Sequence, residues 1–213
     1  MTLGPDFSFE KALEGVVCGI DEVGRGPLAG PVVAAAVVLP RKLHPTLKKY
    51  LNDSKKVPPP RREELFAILQ DCAQIGIGRA EVAEINEINI LQATFLAMRR
   101  AFEALGAVHH ALVDGNRKPP LPCPVTCIVK GDSRSFSIAA ASIIAKVTRD
   151  REMAALAEIH PGYGWERNAG YGTAEHLEAL ARLGVTVHHR RSFAPISALL
   201  VEPELRLVET ASD

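Results

Sequence analysis

The sequence lacks a net charge, because its 25 lysines and arginines balance its 25 aspartates and glutamates. A domain that binds nucleic acid through its overall charge is usually basic, so any such contact here must be local. Five basic pairs occur, and the ordinary role of such a pair is a solvated surface. The pairs are Lys55–Lys56, Arg61–Arg62, Arg99–Arg100, Arg117–Lys118 and Arg190–Arg191.

Aromatic residues and long apolar runs are also scarce. Aromatics make up only 5% of the chain, and no strands interleave aromatic with basic side chains, as a stacking platform for single strands would. No uncharged apolar stretch reaches the length of about 18 residues that a membrane span needs. The N-terminal segment MTLGPDFSFEKALEG has no apolar signal core. We therefore expect a cytoplasmic protein without membrane contact, and we expect it to be a monomer.

Cysteine is rare too, with only Cys18, Cys72, Cys123 and Cys127. In a cytoplasmic protein these thiols are expected to be reduced. Cys123 and Cys127 lie close together in PCPVTC, but no second pair follows, so the zinc pattern is poor. A metal role for cysteine is therefore not expected.

The chain does contain short apolar runs alternating with amphipathic segments. The runs predict strands at 16–20, 32–39, 74–82, 109–114 and 124–130, and the first two predict an antiparallel hairpin. Helical spacing predicts helices at 62–72, 84–105, 137–159 and 173–183, with serines opening the third and Thr173 capping the fourth. Residues 45–62 are predicted to be a loop and residues 202–213 to fray. The pattern indicates one α/β domain with a central sheet covered by helices.

Acidic residues follow three of the predicted strands. Asp21 and Glu22 come after VVCGI, Asp114 after HHALV, and Asp132 after CIVKG. One such acid alone is more often the start of a turn. At strand ends, however, carboxylates can converge at the rim of a sheet without burial inside it. Because Asp21 and Glu22 are adjacent, both reach one site only if the strand ends or bulges there.

Four carboxylates brought together repel one another and stay ionised only if a cation compensates them. Oxygen ligands with little His or Cys nearby suit Mg²⁺ or Mn²⁺ rather than zinc. Two such ions roughly 4 Å apart can activate a water and stabilise the leaving oxygen in phosphodiester cleavage. The pattern therefore indicates phosphoryl-transfer chemistry, while the spacing alone does not identify the substrate.

Several longer segments resemble, in order, the signature blocks of the ribonuclease HII family. GIDEVGRGPLAGPVVAAAVVL (19–39) resembles the opening block, and four later segments resemble further ones: NDSKK (52–56), LVDGN (112–116), KGDSRSFSIAAASIIAKVTRD (130–150) and NAGYGTAEH (168–176). The resemblance runs from about residue 15 to about residue 197. It implies the ribonuclease H fold, a mixed sheet flanked by helices with a C-terminal helical extension, as one catalytic domain over residues 1–213.

The resemblance also implies an activity. The expected enzyme is an endonuclease that hydrolyses the RNA strand of RNA–DNA hybrids and cuts 5′ of ribonucleotides embedded in duplex DNA. It is expected to use two divalent ions, Mg²⁺ or Mn²⁺, and to leave 3′-hydroxyl and 5′-phosphate ends. Carried over by position, the catalytic and metal-binding residues are Asp21, Glu22, Asp114 and Asp132.

Substrate contacts are implied in the same way. Gly24, Arg25 and Gly26 are expected to recognise the ribonucleotide, since a glycine backbone can come close to the 2′-hydroxyl that distinguishes RNA from DNA. Tyr171 is expected to pack on the sugar of the adjoining deoxynucleotide, with core or surface packing as an equal alternative.

The sequence leaves alternative roles for five further basic residues. Lys55 and Lys56 are candidates for phosphate contact, with a solvated loop as the alternative. Lys146, Arg149 and Arg151 lie on the predicted helix 137–159, and the sequence does not decide whether they face the duplex or water.

Two other classes of protein compete with the nuclease. Gly24, Gly26 and Ala29 match a dinucleotide-binding G-x-G-x-x-A spacing, but that fingerprint needs a helix next, and the strand-like VVAAAVVL follows instead. A non-catalytic nucleic-acid-binding module would not need carboxylates after three strands. Cleavage of a labelled hybrid that depends on a divalent metal separates this module from the enzyme.

Overall fold

The structure, a computed structural model, describes residues 4–200, which form two compact units. The first unit comprises residues 4–23, 32–80 and 94–149, and the second comprises residues 24–31, 81–93 and 150–200. The predicted frayed tail at 202–213 lies outside the described residues. Within residues 4–200, no helix has both the length and the apolar character needed to cross a bilayer.

A five-stranded mixed sheet forms the centre of the first unit. Its strands are β1 (Val17–Val23), β2 (Val32–Val38), β3 (Gln74–Ala80), β4 (His110–Asp114) and β5 (Val125–Ile128). Their order across the sheet is β3-β2-β1-β4-β5. β2 is antiparallel to β1 and to β3, whereas the β1–β4 and β4–β5 pairs are parallel. The predicted hairpin and mixed sheet are confirmed.

β1 is longer than the apolar run that predicted it. It continues through Asp21 and Glu22, which lie opposite Ala35 and Ala34 of β2 in regular antiparallel register, and ends at Val23. The strand predicted at 16–20 therefore continues past its expected end, and the end or bulge that would let Asp21 and Glu22 reach one site is not found at these two residues. The physical reason is that β2 offers backbone partners beyond the apolar run, so polar side chains do not interrupt the ladder.

The helices are α1 to α7, in chain order: Ser8–Lys11, Pro45–Tyr50, Pro59–Cys72, Val82–Glu103, Phe136–Ile159, Trp165–Asn168 and Ala174–Leu183. A short 3₁₀ helix, Gly131–Ser133, precedes α5. α4 contains one non-helical residue, Asn89 (φ 66°, ψ 165°). The predicted loop at 45–62 is wrong, because α2 and the start of α3 occupy much of it. Prolines at the first turns of both helices look like breakers but suit that position.

Close packing between β1 and the start of α5 depends on a glycine. A Cβ on Gly19 would lie 2.1 Å from the carbonyl carbon of Ser137, so a side chain there would collide with the helix backbone. Around this contact the core of the first unit is apolar and fully buried, with Val37 of β2, Leu47 of α2, Leu65 of α3 and Ile143 of α5 in one cluster. This packing fixes the end of the sheet at which Asp21 and Asp114 lie.

The second unit has its own apolar core. This core is one cluster of buried side chains that includes Leu28, Met153, Trp165, Leu180 and Ile196. α7 is capped as predicted, since the hydroxyl of Thr173 accepts a hydrogen bond from the main-chain N–H of His176 at 3.3 Å. α6 had no counterpart among the predicted helices, because four residues are too few to show helical periodicity.

Candidate active site

Parallel pairing brings two of the predicted site residues to neighbouring positions. β1 and β4 are paired in parallel up to Ile20 and Val113, and Asp21 and Asp114 are the next residues of these two strands. Side chains at matching positions of adjacent strands point to the same face of a sheet. Asp21 and Asp114 therefore share one face, and Asp114 is the last residue of its strand, as predicted.

Asp132 lies near this pair because its neighbour Gly131 is hydrogen-bonded to Asp114. The main-chain N–H of Gly131 donates to Oδ1 of Asp114 at 2.6 Å, which fixes the Asp114 carboxylate beside the 3₁₀ helix that carries Asp132. This helix begins three residues after β5 ends, so Asp132 lies in a turn that follows the strand.

The electrostatics show that these carboxylates act on one another. Burial, and then the negative charges of Glu22 and Asp114, raise the pKa of Asp21 well above its ordinary value. Burial, followed by the charges of Asp114 and Asp53, raises the pKa of Asp132 to about 6. Asp21 is only 6% exposed, so water screens its charge little. The cluster thus concentrates more negative charge than the protein compensates.

Glu22, the fourth carboxylate, directly follows Asp21 in β1. Regular strand geometry directs its side chain to the face opposite Asp21, although its charge still raises the pKa of Asp21. Among residues 4–200, no three His, Cys, Asp or Glu side chains are arranged to hold one ion as they stand. The donor set nevertheless fits a hard divalent cation, because it consists of carboxylate oxygens that repel one another without one.

A cavity of about 610 Å³ lies over Asp114 and Asp132. Its lining also includes Asp53, Lys55 and Lys56 of the NDSKK segment, but neither Asp21 nor Glu22. Nζ of Lys56 donates to Oγ of Ser133 at 2.8 Å, and the positive charge of Lys55 partly offsets the rise that burial and neighbouring carboxylates cause in the pKa of Asp132. The structure therefore brings both lysines to the carboxylates.

Two residues near the carboxylates were missed by the sequence analysis. Asp53 hydrogen-bonds with Asp132, and Ser142 of α5 hydrogen-bonds with Asp21. Ser142 in turn contacts Ser54, with 2.9 Å between the two hydroxyl oxygens. Their only sequence signal was membership of the NDSKK and AAASIIAK segments, because contacts between distant segments leave no periodic pattern.

In the second unit, the buried guanidinium of Arg190 organises the Gly24–Pro31 loop. It donates to the carbonyl oxygens of Gly24 at 2.5 Å, Arg25 at 3.0 Å, Gly30 at 2.8 and 3.0 Å, and Pro31 at 3.3 Å. A trans peptide directs its N–H opposite to its C=O. The N–H groups of Arg25 and Gly26 therefore point away from Arg190, as a pair of adjacent donors.

Tyr171 lies beside this loop. A Cβ on Gly26 would be 3.4 Å from Cε1 of the Tyr171 ring, and the carbonyl of Gly170 accepts from the N–H of Leu28 at 2.8 Å. Tyr171 is 45% exposed, which removes the alternative of core packing. The loop runs directly into β2 and not into a helix, so the dinucleotide-binding alternative lacks its required element.

The three basic residues of α5 differ in burial. Arg149 is fully buried, so it faces neither the duplex nor water. Lys146 is half-buried and Arg151 is exposed. All three make interactions within the protein.

The fold matches the crystal structure of ribonuclease H2 from Pyrococcus horikoshii OT3 with a TM-score of 0.73 and 28% identity, over 90% of this chain and 99% of that chain. The predicted ribonuclease H fold is thus confirmed.

The sequence model described as Ribonuclease HII matches residues 18–196. The chain is 64% identical over 199 residues to ribonuclease HII of Paramagnetospirillum magneticum (92% of this chain, 99% of that protein). It is 61% identical over 205 residues to that of Rhodospirillum rubrum (94% of each). The chain belongs to the ribonuclease HII family. It is a metal-dependent ribonuclease H, an endonuclease that hydrolyses the RNA strand of RNA–DNA hybrids.

Proposed function

We propose that the protein also cuts duplex DNA on the 5′ side of an embedded ribonucleotide. Asp21, Asp114 and Asp132 would hold two divalent ions, Mg²⁺ or Mn²⁺, for this reaction. Glu22, one residue before the end of β1, would complete the set by turning its side chain around that end toward Asp21, whose pKa its charge already raises. The observation that carries the proposal is the grouping of Asp21, Asp114 and Asp132, in which burial and then the charges of neighbouring carboxylates raise the pKa values of Asp21 and Asp132. Such a cluster stays ionised near neutral pH only when cations compensate its charge.

The surrounding residues prepare the carboxylates for this role. Ser142 orients the Asp21 carboxylate, and the Gly131 N–H orients that of Asp114. Partners of this kind fix the geometry of ligands before an ion arrives. When bound, the two ions would activate a water for attack on the phosphate and stabilise the leaving 3′-oxygen. Because water and not the 2′-hydroxyl is the nucleophile, the 2′-hydroxyl is available for recognition.

Recognition is assigned to the second unit. The paired N–H groups of Arg25 and Gly26 form a donor pair for oxygen atoms of the ribonucleotide, the 2′-hydroxyl or its phosphate. The exposed Tyr171 ring would pack on the next sugar and crowd a 2′-hydroxyl there, which favours an RNA-to-DNA step. Lys55 and Lys56, at the cavity in the first unit, would contact backbone phosphates.

Asp132→Asn tests the carboxylate assignment, with Asp71→Asn on the exposed surface of α3 as the matched control. The Asp132 variant should lose more hybrid cleavage than the roughly 10- to 100-fold that follows loss of a merely supporting group. Its melting temperature without metal should not fall, because the substitution removes a repelled charge. Initial rates across a Mg²⁺ titration and thermal unfolding provide the measurements. Near-normal turnover of Asp132→Asn at saturating Mg²⁺, or an equal loss in Asp71→Asn, refutes the assignment.

A further inference from the structure

A chain of buried polar rings lies behind Tyr171 in the second unit. His176 and His189 are fully buried and Trp165 is 1% exposed. Nε1 of Trp165 lies 3.1 Å from Nε2 of His176. Nε2 of His176 also lies 3.1 Å from Nε2 of His189. Nδ1 of His176 lies 2.9 Å from the carbonyl oxygen of Tyr171. The proposed chemistry uses none of these three rings.

The fixed donors determine where the ring protons are. The main-chain N–H of Thr186 can only donate, so Nδ1 of His189, at 2.9 Å, accepts and the neutral ring carries its proton on Nε2. The indole N–H of Trp165 also only donates, so Nε2 of His176 accepts and the ring carries its proton on Nδ1. His189 therefore donates to His176, and His176 donates to the carbonyl of Tyr171.

Burial supports this assignment of two neutral rings. It is the main reason that the pKa of His176 is lowered and that of His189 is lowered to about 4. Each ring nitrogen of the pair then has a partner of the right kind, and Nε2 of His176 is a shared acceptor whose single lone pair faces the N–H groups of both Trp165 and His189. A buried network in which every donor faces an acceptor holds its members in one arrangement.

The end of the network is the main chain of Tyr171. Its carbonyl accepts from His176 and also from the N–H of Thr173 at 2.8 Å, while its own N–H donates to the carbonyl of Asn168 at 2.9 Å. The side chain itself is exposed and is not held by core packing. The direction of the ring therefore depends on how firmly its backbone is fixed.

We propose that His176, supported by Trp165 and His189, is a positioning residue that fixes Tyr171 and thereby sets the preference for a lone ribonucleotide over a continuous RNA strand. The inference rests on the proposed role of the Tyr171 ring in substrate choice. His176 acts only through Tyr171, so its contribution must disappear when that ring is absent.

The experiment measures kcat/KM for a DNA duplex with one ribonucleotide and for a long RNA–DNA hybrid, and takes their ratio. His176→Leu removes the donor to Tyr171, whereas His176→Asn places an amide N–H near the position of Nδ1. His160→Leu is the control, because His160 packs on Trp165 with 5.9 Å between ring centroids but lies outside the hydrogen-bonded chain. Tyr171→Ala and the double variant with His176→Leu complete a cycle.

His176→Leu should lower the ratio about fivefold, the effect of one lost hydrogen bond. His176→Asn should restore most of it, and His160→Leu should leave it unchanged. In the Tyr171→Ala background, His176→Leu should have no further effect on the ratio. An equal fall on both substrates in the single variant, or a full additional effect in the double variant, overturns the positioning role.

Two outcomes separate this inference from the function on which it rests. If Tyr171→Ala alone leaves the ratio unchanged, the proposed role of the ring fails and nothing remains to be positioned. If Tyr171→Ala lowers the ratio and His176→Leu does not, only the positioning role fails. Should His176→Leu not fold, Trp165→Phe keeps an aromatic ring in the core and removes only the N–H. It should then lower the ratio about twofold, as a weakened network would, and an unchanged ratio overturns the proposal.

Discussion

Arg190 illustrates how one side chain can shape a recognition loop that it does not belong to. Its guanidinium donates hydrogen bonds to the carbonyl oxygens of Gly24 and Arg25. Because each peptide is planar and trans, the N–H groups of Arg25 and Gly26 point away from Arg190. Gly24 has φ of +93°, a conformation that suits glycine, so the turn is set by residue type as well as by Arg190. The donors assigned to substrate recognition are thus arranged by a residue far along the sequence.

Arg190→Lys should weaken cleavage of both a lone-ribonucleotide duplex and a hybrid, since both present a 2′-hydroxyl. Lysine keeps the charge but lacks the planar fork that reaches several carbonyls at once. Hydrogen bonds from charged donors are worth roughly 1.5–3 kcal/mol each, so kcat/KM should fall more than tenfold. Arg191→Lys, at the exposed neighbouring position, is the control. Wild-type kcat/KM on both substrates in folded Arg190→Lys protein would contradict the loop-organising role.

The same residue shows a limit of sequence analysis. Arg190 and Arg191 form one of the basic pairs for which a solvated surface was the ordinary expectation, and only Arg191 is exposed. Nothing in the pair itself distinguishes them. The difference arises from carbonyls some 160 positions earlier in the chain, which composition and periodicity do not encode.

At the level of secondary-structure elements, two side chains cap the start of α5. The cap by serine could be predicted from the sequence, whereas the cap by Glu10 could not. The hydroxyl of Ser135 accepts from the N–H of Ile138 at 3.3 Å, in line with the expected serine capping. Oε1 of Glu10 accepts from the N–H of Ser137 at 2.9 Å and from the hydroxyls of Ser135 and Ser137, each at 2.7 Å. A carboxylate at a helix N-terminus is also favoured by the helix dipole.

Glu10→Ala should destabilise the protein by about 1–3 kcal/mol, because buried donors of Ser135 and Ser137 lose their acceptor. Glu14→Ala, at a nearby exposed position, should change the free energy of unfolding by less than about 0.5 kcal/mol. Urea denaturation of the two variants and the wild type measures the difference. Equal stability of Glu10→Ala and Glu14→Ala would show that α5 does not depend on this carboxylate.

Element boundaries were predicted well where apolar spacing dominates and poorly where composition misleads. All five strands form, and α5 and α7 begin within one residue of the expected positions. The predicted loop at 45–62 is wrong because proline, which is typical of loops, also suits the first turn of a helix, where Pro45 and Pro59 lie. β1 extends beyond the predicted strand at 16–20 because its pairing with β2, not its hydrophobicity, decides where it ends.

At the scale of the whole molecule, the assigned residues divide between the two units. The four carboxylates and Lys55 and Lys56 belong to the first, and the Gly24–Pro31 loop and Tyr171 belong to the second. The sequence indicated both sets through family resemblance. It did not indicate the residues that hydrogen-bond with these assigned residues, which are Ser142 and Asp53 in the first unit and Arg190 and His176 in the second. Organisation as a single catalytic domain stays a prediction.

The proposed reaction is tested most directly by mapping the ends released from a DNA duplex that carries one ribonucleotide, with Mg²⁺ or Mn²⁺ and with chelator. We expect metal-dependent cutting on the 5′ side of the ribonucleotide, with a 3′-hydroxyl upstream and a 5′-phosphate on the fragment that keeps the ribonucleotide. An all-DNA duplex of the same sequence should remain intact. Cyclic-phosphate ends would contradict the use of water as the nucleophile, and equal cutting of the all-DNA duplex would contradict recognition by the Gly24–Pro31 loop.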